Sequence, residues 1–75
     1  MSRYNKTTES KQTFAYGFDN PLSQFFLTLN GKHLVGPLSK QYGDNYSMID
    51  ALKRNQLWDS IPAEHRQAIE SDLAF

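Results

Sequence analysis

Two histidines, His33 and His65, are the residues best suited by type to proton transfer or metal binding, and no cysteine accompanies them. Zinc would need convergent carboxylates around both imidazoles, and their separation in sequence matches no ligand spacing. The chain predicts no metal and no cofactor. Ser23, His33 and Asp19 supply the residue types of a hydrolytic triad. They lack the strand–turn–helix elbow that exposes a nucleophile, and such residue types co-occur by chance in most chains. Glu70 and Asp72 stand two apart, so on a helix they do not face each other as an acid–base pair would. Gly17, Gly31, Gly36 and Gly43 are spaced for turns and close packing, not for a phosphate-cradling loop. The chemistry-bearing residues therefore point away from an enzyme.

Charge offers a different chemistry. The net charge is zero, yet residues 1–40 carry five Lys/Arg against two acids, and residues 41–75 carry three against six. Asp50, Asp59, Glu64, Glu70 and Asp72 form the acidic group, and an outward cluster of them would attract a basic protein surface. The bland alternative is that they keep a small apolar protein soluble. Lys32 and His33, with Arg3, Lys6 and Lys11 ahead of them, are the corresponding basic group and the best route to nucleic acid. A helix-turn-helix reading of the C-terminal half fails on charge. Arg66 stands alone there against Glu64, Glu70 and Asp72, and an acidic reading helix is repelled by phosphates.

The elements that must position these residues follow from pattern. With 75 residues there is room for one small domain, and with no disulfide available it must be held by packing. Residues 1–12 are polar and aperiodic and read as a flexible arm. Residues 13–75 read as the domain. Thr13–Phe18 alternates, with Phe14, Tyr16 and Phe18 on one side. Gly17 within it suggests a bulge or close packing by a neighbouring ring. Pro21 suits the second position of a turn that begins at Asn20. Asn30-Gly31 between two apolar runs is a two-residue hairpin turn. Its register would set Leu29 opposite Lys32, Thr28 opposite His33, Leu27 opposite Leu34 and Phe26 opposite Val35. Ser47-x-x-Asp50 reads as one helix start, and Ser60 with Pro62 as a second. His65 falls at the edge of the second helix's apolar stripe, which Ile61, Ala68, Ile69 and Leu73 make up.

The expected fold is α+β: a three-stranded antiparallel meander followed by two short helices packed on one face. Its core would include Phe14 or Phe18, Leu27, Leu34, Leu52, Ile69 and Leu73. One helical layer leaves the other sheet face uncovered, showing some of Ala15, Phe26 and Val35. With Lys32 and His33 nearby, that face is a second candidate interface, for a homodimer or for a partner.

The run Tyr16-Gly17-Phe18-Asp19-Asn20-Pro21-Leu22 with Phe25-Phe26-Leu27, and the ending Trp58-Asp59-x-Ile61-Pro62-x-Glu64-His65 with Leu73-Ala74-Phe75, carry a likeness. Over residues 14–75 the chain resembles small uncharacterised proteins of bacterial mobile elements and phages, a set that includes anti-CRISPR inhibitors. No defined motif of that set is matched, so no binding residue is transferred. The resemblance implies a non-enzymatic inhibitor or adaptor that occupies a surface of a host defence complex, such as a CRISPR–Cas effector. The alternative is a small nucleic-acid-binding accessory protein that uses the basic hairpin and arm. Met1–Lys6 shows no apolar leader, and no apolar run nears the ~18 residues of a membrane span. A cytoplasmic place in a bacterial host cell is the expectation.

Overall fold

The computed structural model describes residues 2–75. Four antiparallel strands in sequential order, β1 (Tyr4–Thr7), β2 (Thr13–Asp19), β3 (Gln24–Leu29) and β4 (Lys32–Val35), form one sheet. Helix α1 (Asn45–Arg54), a 3₁₀ turn at Trp58–Ser60 and helix α2 (Ala63–Glu70) follow. The fold is α+β, with one strand more than the pattern predicts.

The extra strand lies within the segment expected to be a free arm. Tyr4 pairs with Tyr16 and Lys6 with Phe14. Ser2 continues the ladder, its N–H donating to the Phe18 carbonyl (3.2 Å) while its hydroxyl accepts from the Phe18 N–H (3.0 Å). A turn at Thr8–Lys11 closes the hairpin through Lys11 N–H to Thr8 C=O (3.0 Å). The segment is polar because it is an edge, where only the inward-facing residues, Tyr4 and Lys6, are half-buried.

The Asn30-Gly31 turn has positive φ at both positions, 49° and 84°, as its type requires. Asn30 also fastens the turn to β2, its N–H donating to Thr13 C=O (2.7 Å) and its side-chain oxygen accepting from Thr13 N–H (3.0 Å). The register runs as expected for two pairs, Leu29 with Lys32 and Thr28 with His33, and then slips. Leu27 faces Val35, so Leu34 is one residue extra on β4. A bulge of this kind moves every later side chain to the other face. Val35 is therefore a core residue, 3% exposed, and not a companion of Phe26 on the open face.

Phe14, Tyr16, Phe25, Leu27 and Val35 from the sheet meet Met48, Leu52, Leu57, Ile61 and Ile69 from the helical half in one buried cluster. Leu34 only packs at its margin. Leu73, expected inside, is 60% exposed. The chain turns at Asp72 with φ 57°, which ends the helical periodicity before Leu73, and Phe75 takes its place against the core. Helix α1 begins earlier than Ser47. Asp44 is its N-cap, accepting from the Ser47 N–H (3.4 Å). Helix α2 begins after Pro62 rather than Ser60, which belongs to the 3₁₀ turn.

After Val35 the chain leaves β3 and returns to it. Gly36 has φ 110°, and a Cβ there would stand 2.8 Å from Phe26 Cβ. Seven residues later the Gly43 carbonyl accepts from the Phe25 N–H (2.8 Å), taking up where β4 stopped. Alanine at Gly36 meets both a left-handed backbone and a collision. Alanine at Gly31 (φ 84°) meets only the backbone strain, since nothing lies within 4 Å. Gly31→Ala should cost about 1–2 kcal/mol, and Gly36→Ala more. Urea denaturation of both variants checks the order, and equal costs would show that the close approach to β3 is not limiting.

Candidate functional site

Alternation and the hairpin register sort the side chains of the sheet onto two faces. Tyr4, Phe14, Tyr16, Phe25 and Leu27 face the helices. Arg3, Asn5, Ala15, Gly17, Phe26, Thr28 and His33 share the other face by pairing position. That face is open. A Cβ at Gly17 would collide with the Ser2 carbonyl and would also stand 2.8 Å from Phe26 Cζ, so glycine there lets both the N-terminal edge and the Phe26 ring close on β2. The Arg3 guanidinium then sits over the ring, 5.9 Å from its centre. Ala15 is 5% exposed under this arrangement, so the face shows Phe26 and hides Ala15.

Beside Phe26 runs a groove of about 100 Å³, lined by Arg3, Asp19, Pro37 and Leu38 among others. Leu38 stands at it, 77% exposed, in the segment that loops away from β3. Arg3 and Asp19 bring opposite charges to the groove, and neither is in an ion pair among the described residues. His33 lines the same groove and bonds to Thr28, its cross-strand partner (Oγ1 to Nδ1, 3.2 Å). Lys32 is exposed on the adjoining edge.

The acidic group divides. Asp50 pairs with Arg54 (3.0 Å) and Asp59 lies 3.9 Å from Arg66, so the chain's own cations offset two of the five. Glu64, Glu70 and Asp72 are exposed. Glu64 and Glu70 are six residues apart on α2, which places them about 120° from each other around its axis. Glu64 and Glu70 therefore point to different sides of α2.

A pair the sequence did not suggest sits inside. Tyr16 is fully buried in β2, and its hydroxyl lies 2.7 Å from His65 Nδ1 on α2. Rings close around them: Tyr4 lies 4.3 Å from His65 and Phe75 lies 4.8 Å from it, centre to centre. Burial, with Tyr4 adding to it, pushes the Tyr16 phenol up to about 12. Burial also holds His65 below the ordinary imidazole value, with Glu64 pulling upward and Lys6 pushing down. With His65 neutral and its proton on Nε2, the Tyr16 hydroxyl donates to Nδ1. A buried phenol kept protonated through neutral pH is a structural donor. The two residues lie 49 positions apart, and only the three-dimensional fold reveals the pair.

Among the described residues, no group of three or more His, Asp or Glu is placed to hold a metal ion, and no helix is long and apolar enough to cross a membrane. The chain matches no family model, no curated protein and no solved structure.

The buried pair makes stability depend on pH at both ends. His65 has its folded pKa lowered, so below about pH 6.5 the unfolded chain binds a proton that the folded one resists, and stability is lost as pH falls through that window. Tyr16 has its folded pKa raised, so its contribution is whole below pH 10.0 and is lost as pH rises towards about 12. The urea midpoint measured across pH should decline on both sides of a neutral plateau. Tyr16→Phe should remove the Tyr16 part of the alkaline decline and cost about 1–3 kcal/mol by stranding Nδ1. An unchanged alkaline limb in that variant would refute the assignment.

Proposed function

We propose that this chain is a non-enzymatic protein-binding inhibitor or adaptor that works by occupying a surface of a larger complex. The observation that carries this reading is the open sheet face. A small domain with a well-filled core still presents Phe26, Pro37 and a nearly bare Leu38 around a groove charged by Arg3 and Asp19. A leucine held out on a loop beside an aromatic ring contributes little to this fold, and apolar groups rimmed by charge are the usual anatomy of a protein interface. The likeness to phage and mobile-element proteins supports a host defence complex as the target, such as a CRISPR–Cas effector in the bacterial cytoplasm. In the alternative reading, nucleic acid is the partner. The basic arm that this would use is paired into the sheet as β1, with Arg3 over the Phe26 ring and Lys6 half-buried.

Affinity capture from a bacterial lysate, followed by mass spectrometry, should return a protein partner. Leu38→Asp should leave the circular-dichroism spectrum unchanged and weaken that partner by about tenfold or more, as loss of an interface anchor does. Leu22→Asp, at the exposed turn between β2 and β3, serves as control. Suppose instead that triple Lys substitution at Glu64, Glu70 and Asp72 abolishes binding while Leu38→Asp spares it. The acidic group would then be the site, and the open face would not.

A further inference from the structure

The sheet ends at β4, whose outer edge is open at His33, while just beyond Val35 the Gly36 N–H is taken by the Gln41 carbonyl (2.9 Å). Leu29 and Lys32 adjoin the two-residue turn and are its hydrogen-bonded pair, so Thr28 and His33 form the next, non-hydrogen-bonded pair. The main-chain N–H and C=O of His33 therefore point outward, away from β3. Two hollows flank this edge. One, of about 240 Å³, lies between β4 and α1, where Leu34 meets Ser47, Ala51 and Arg54, helical residues spaced to share one face. The other, wider, runs between β4 and the 37–41 loop and is lined by Lys32, His33 and Lys40. Leu34 and Gln41 line both, so together they make one trough along the strand. Gln41 sits where the two hollows meet, donating from Nε2 to the Ser47 hydroxyl (2.8 Å).

The trough is positive on its loop side and balanced on its α1 side, where Asp50 and Arg54 both line the hollow. Lys32 and Lys40 have no acidic partner within 4.0 Å among the described residues, while Arg54 is paired with Asp50. We propose that the outer edge of β4 takes up an extended acidic peptide from the partner protein as a fifth strand. His33 supplies the main-chain hydrogen bonds, Leu34 and Ala51 receive an apolar side chain on the α1 side, and Lys32 and Lys40 pair with flanking carboxylates. The proposal rests on the protein-binding reading above and names the chemistry of the bound segment. A second copy of the chain fits poorly, because edge-to-edge pairing would bring Lys32 and Lys40 of both copies together. Lysine on an exposed edge is a known guard against such pairing. A nucleic acid fits less well than a peptide, since it leaves the outward N–H and C=O of His33 without complementary main-chain groups.

Fluorescence anisotropy with labelled ten-residue peptides tests this on the full chain. The probe alternates Glu and Val; its controls alternate Lys and Val, or Glu and Pro. The Glu-Val peptide should bind, weaken as salt rises, and lose about tenfold or more in affinity against Lys32→Glu/Lys40→Glu. The proline peptide keeps the charge and removes alternate N–H donors, so it should not bind. Amide resonances of His33 and Leu34 should shift on titration. Equal binding of the proline peptide, or of a single-stranded oligonucleotide of matched charge with no shift at His33, would show attraction to a cationic surface without strand addition and overturn the proposal. So would the absence of any binding by the Glu-Val peptide. A captured partner that is lost with Leu38→Asp but indifferent to Lys32→Glu/Lys40→Glu would remove the edge site and leave the protein-binding reading standing.

Discussion

A phenol enclosed by apolar rings must find a hydrogen-bond partner or forfeit much of what its burial gains. Tyr16 occupies the middle of β2, itself an interior strand of the sheet, with no exposed surface. His65 answers its hydroxyl from α2. This bond makes one requirement of two distant parts of the chain. Without α2 in place the phenol has no acceptor, and without the phenol the imidazole has no donor. Tyr4 and Phe75 complete the enclosure, so residues near both ends of the chain join the same cluster. The polar pair therefore specifies where α2 lies, while Met48, Leu52 and Ile69 supply the larger apolar burial without dictating one geometry.

The far side of the sheet obeys a different constraint, close approach of neighbouring backbone to glycine. Gly17 allows Phe26 to cover β2, and Gly36 and Gly43 allow the chain to leave and rejoin β3 against the Phe25–Phe26 backbone. Three glycines thus shape the surface on which the proposed interface stands. The core face is filled by side chains, and the open face is shaped where they are missing. This explains why Phe26 is half-buried although no helix covers it.

The parts of this fold legible in the sequence are those set by neighbouring residues. The Asn30-Gly31 turn, the first two cross-strand pairs and the Asn20–Ser23 turn, closed by Ser23 N–H to Asn20 C=O (3.2 Å), follow from local backbone preferences. The Thr28–His33 contact was legible because it depends only on register next to the turn. Legibility ends at Leu34. Nothing local distinguishes a strand that slips there from one that continues, since Leu34 and Val35 are equally apolar; the demand of the core for Val35 decides. β1 was hidden because an edge strand needs only alternate residues inward, and Tyr4-Asn5-Lys6-Thr7 offers one hydrophobe. Tyr16 was legible as apolar and inward, but its acceptor depends on where α2 docks. Of the site, Phe26, Lys32 and His33 were visible as surface. Leu38 was not, because a lone leucine in a polar loop carries no periodicity.

The excursion from Gly36 to Gly43 divides labour within this molecule. Both of its ends are fastened, by Gly36 N–H to Gln41 C=O (2.9 Å) and by the Gly43 carbonyl to β3, while the Ser39 hydroxyl donates within it to the Gly36 carbonyl (2.9 Å). Residues 37–40 between these anchors supply nothing to the buried cluster. Pro37, Leu38 and Lys40 can thus change without cost to the buried cluster, whereas the Ser39 hydroxyl is part of what holds the loop. Under the protein-binding reading proposed above, such a pinned and replaceable segment is where a new specificity would arise first.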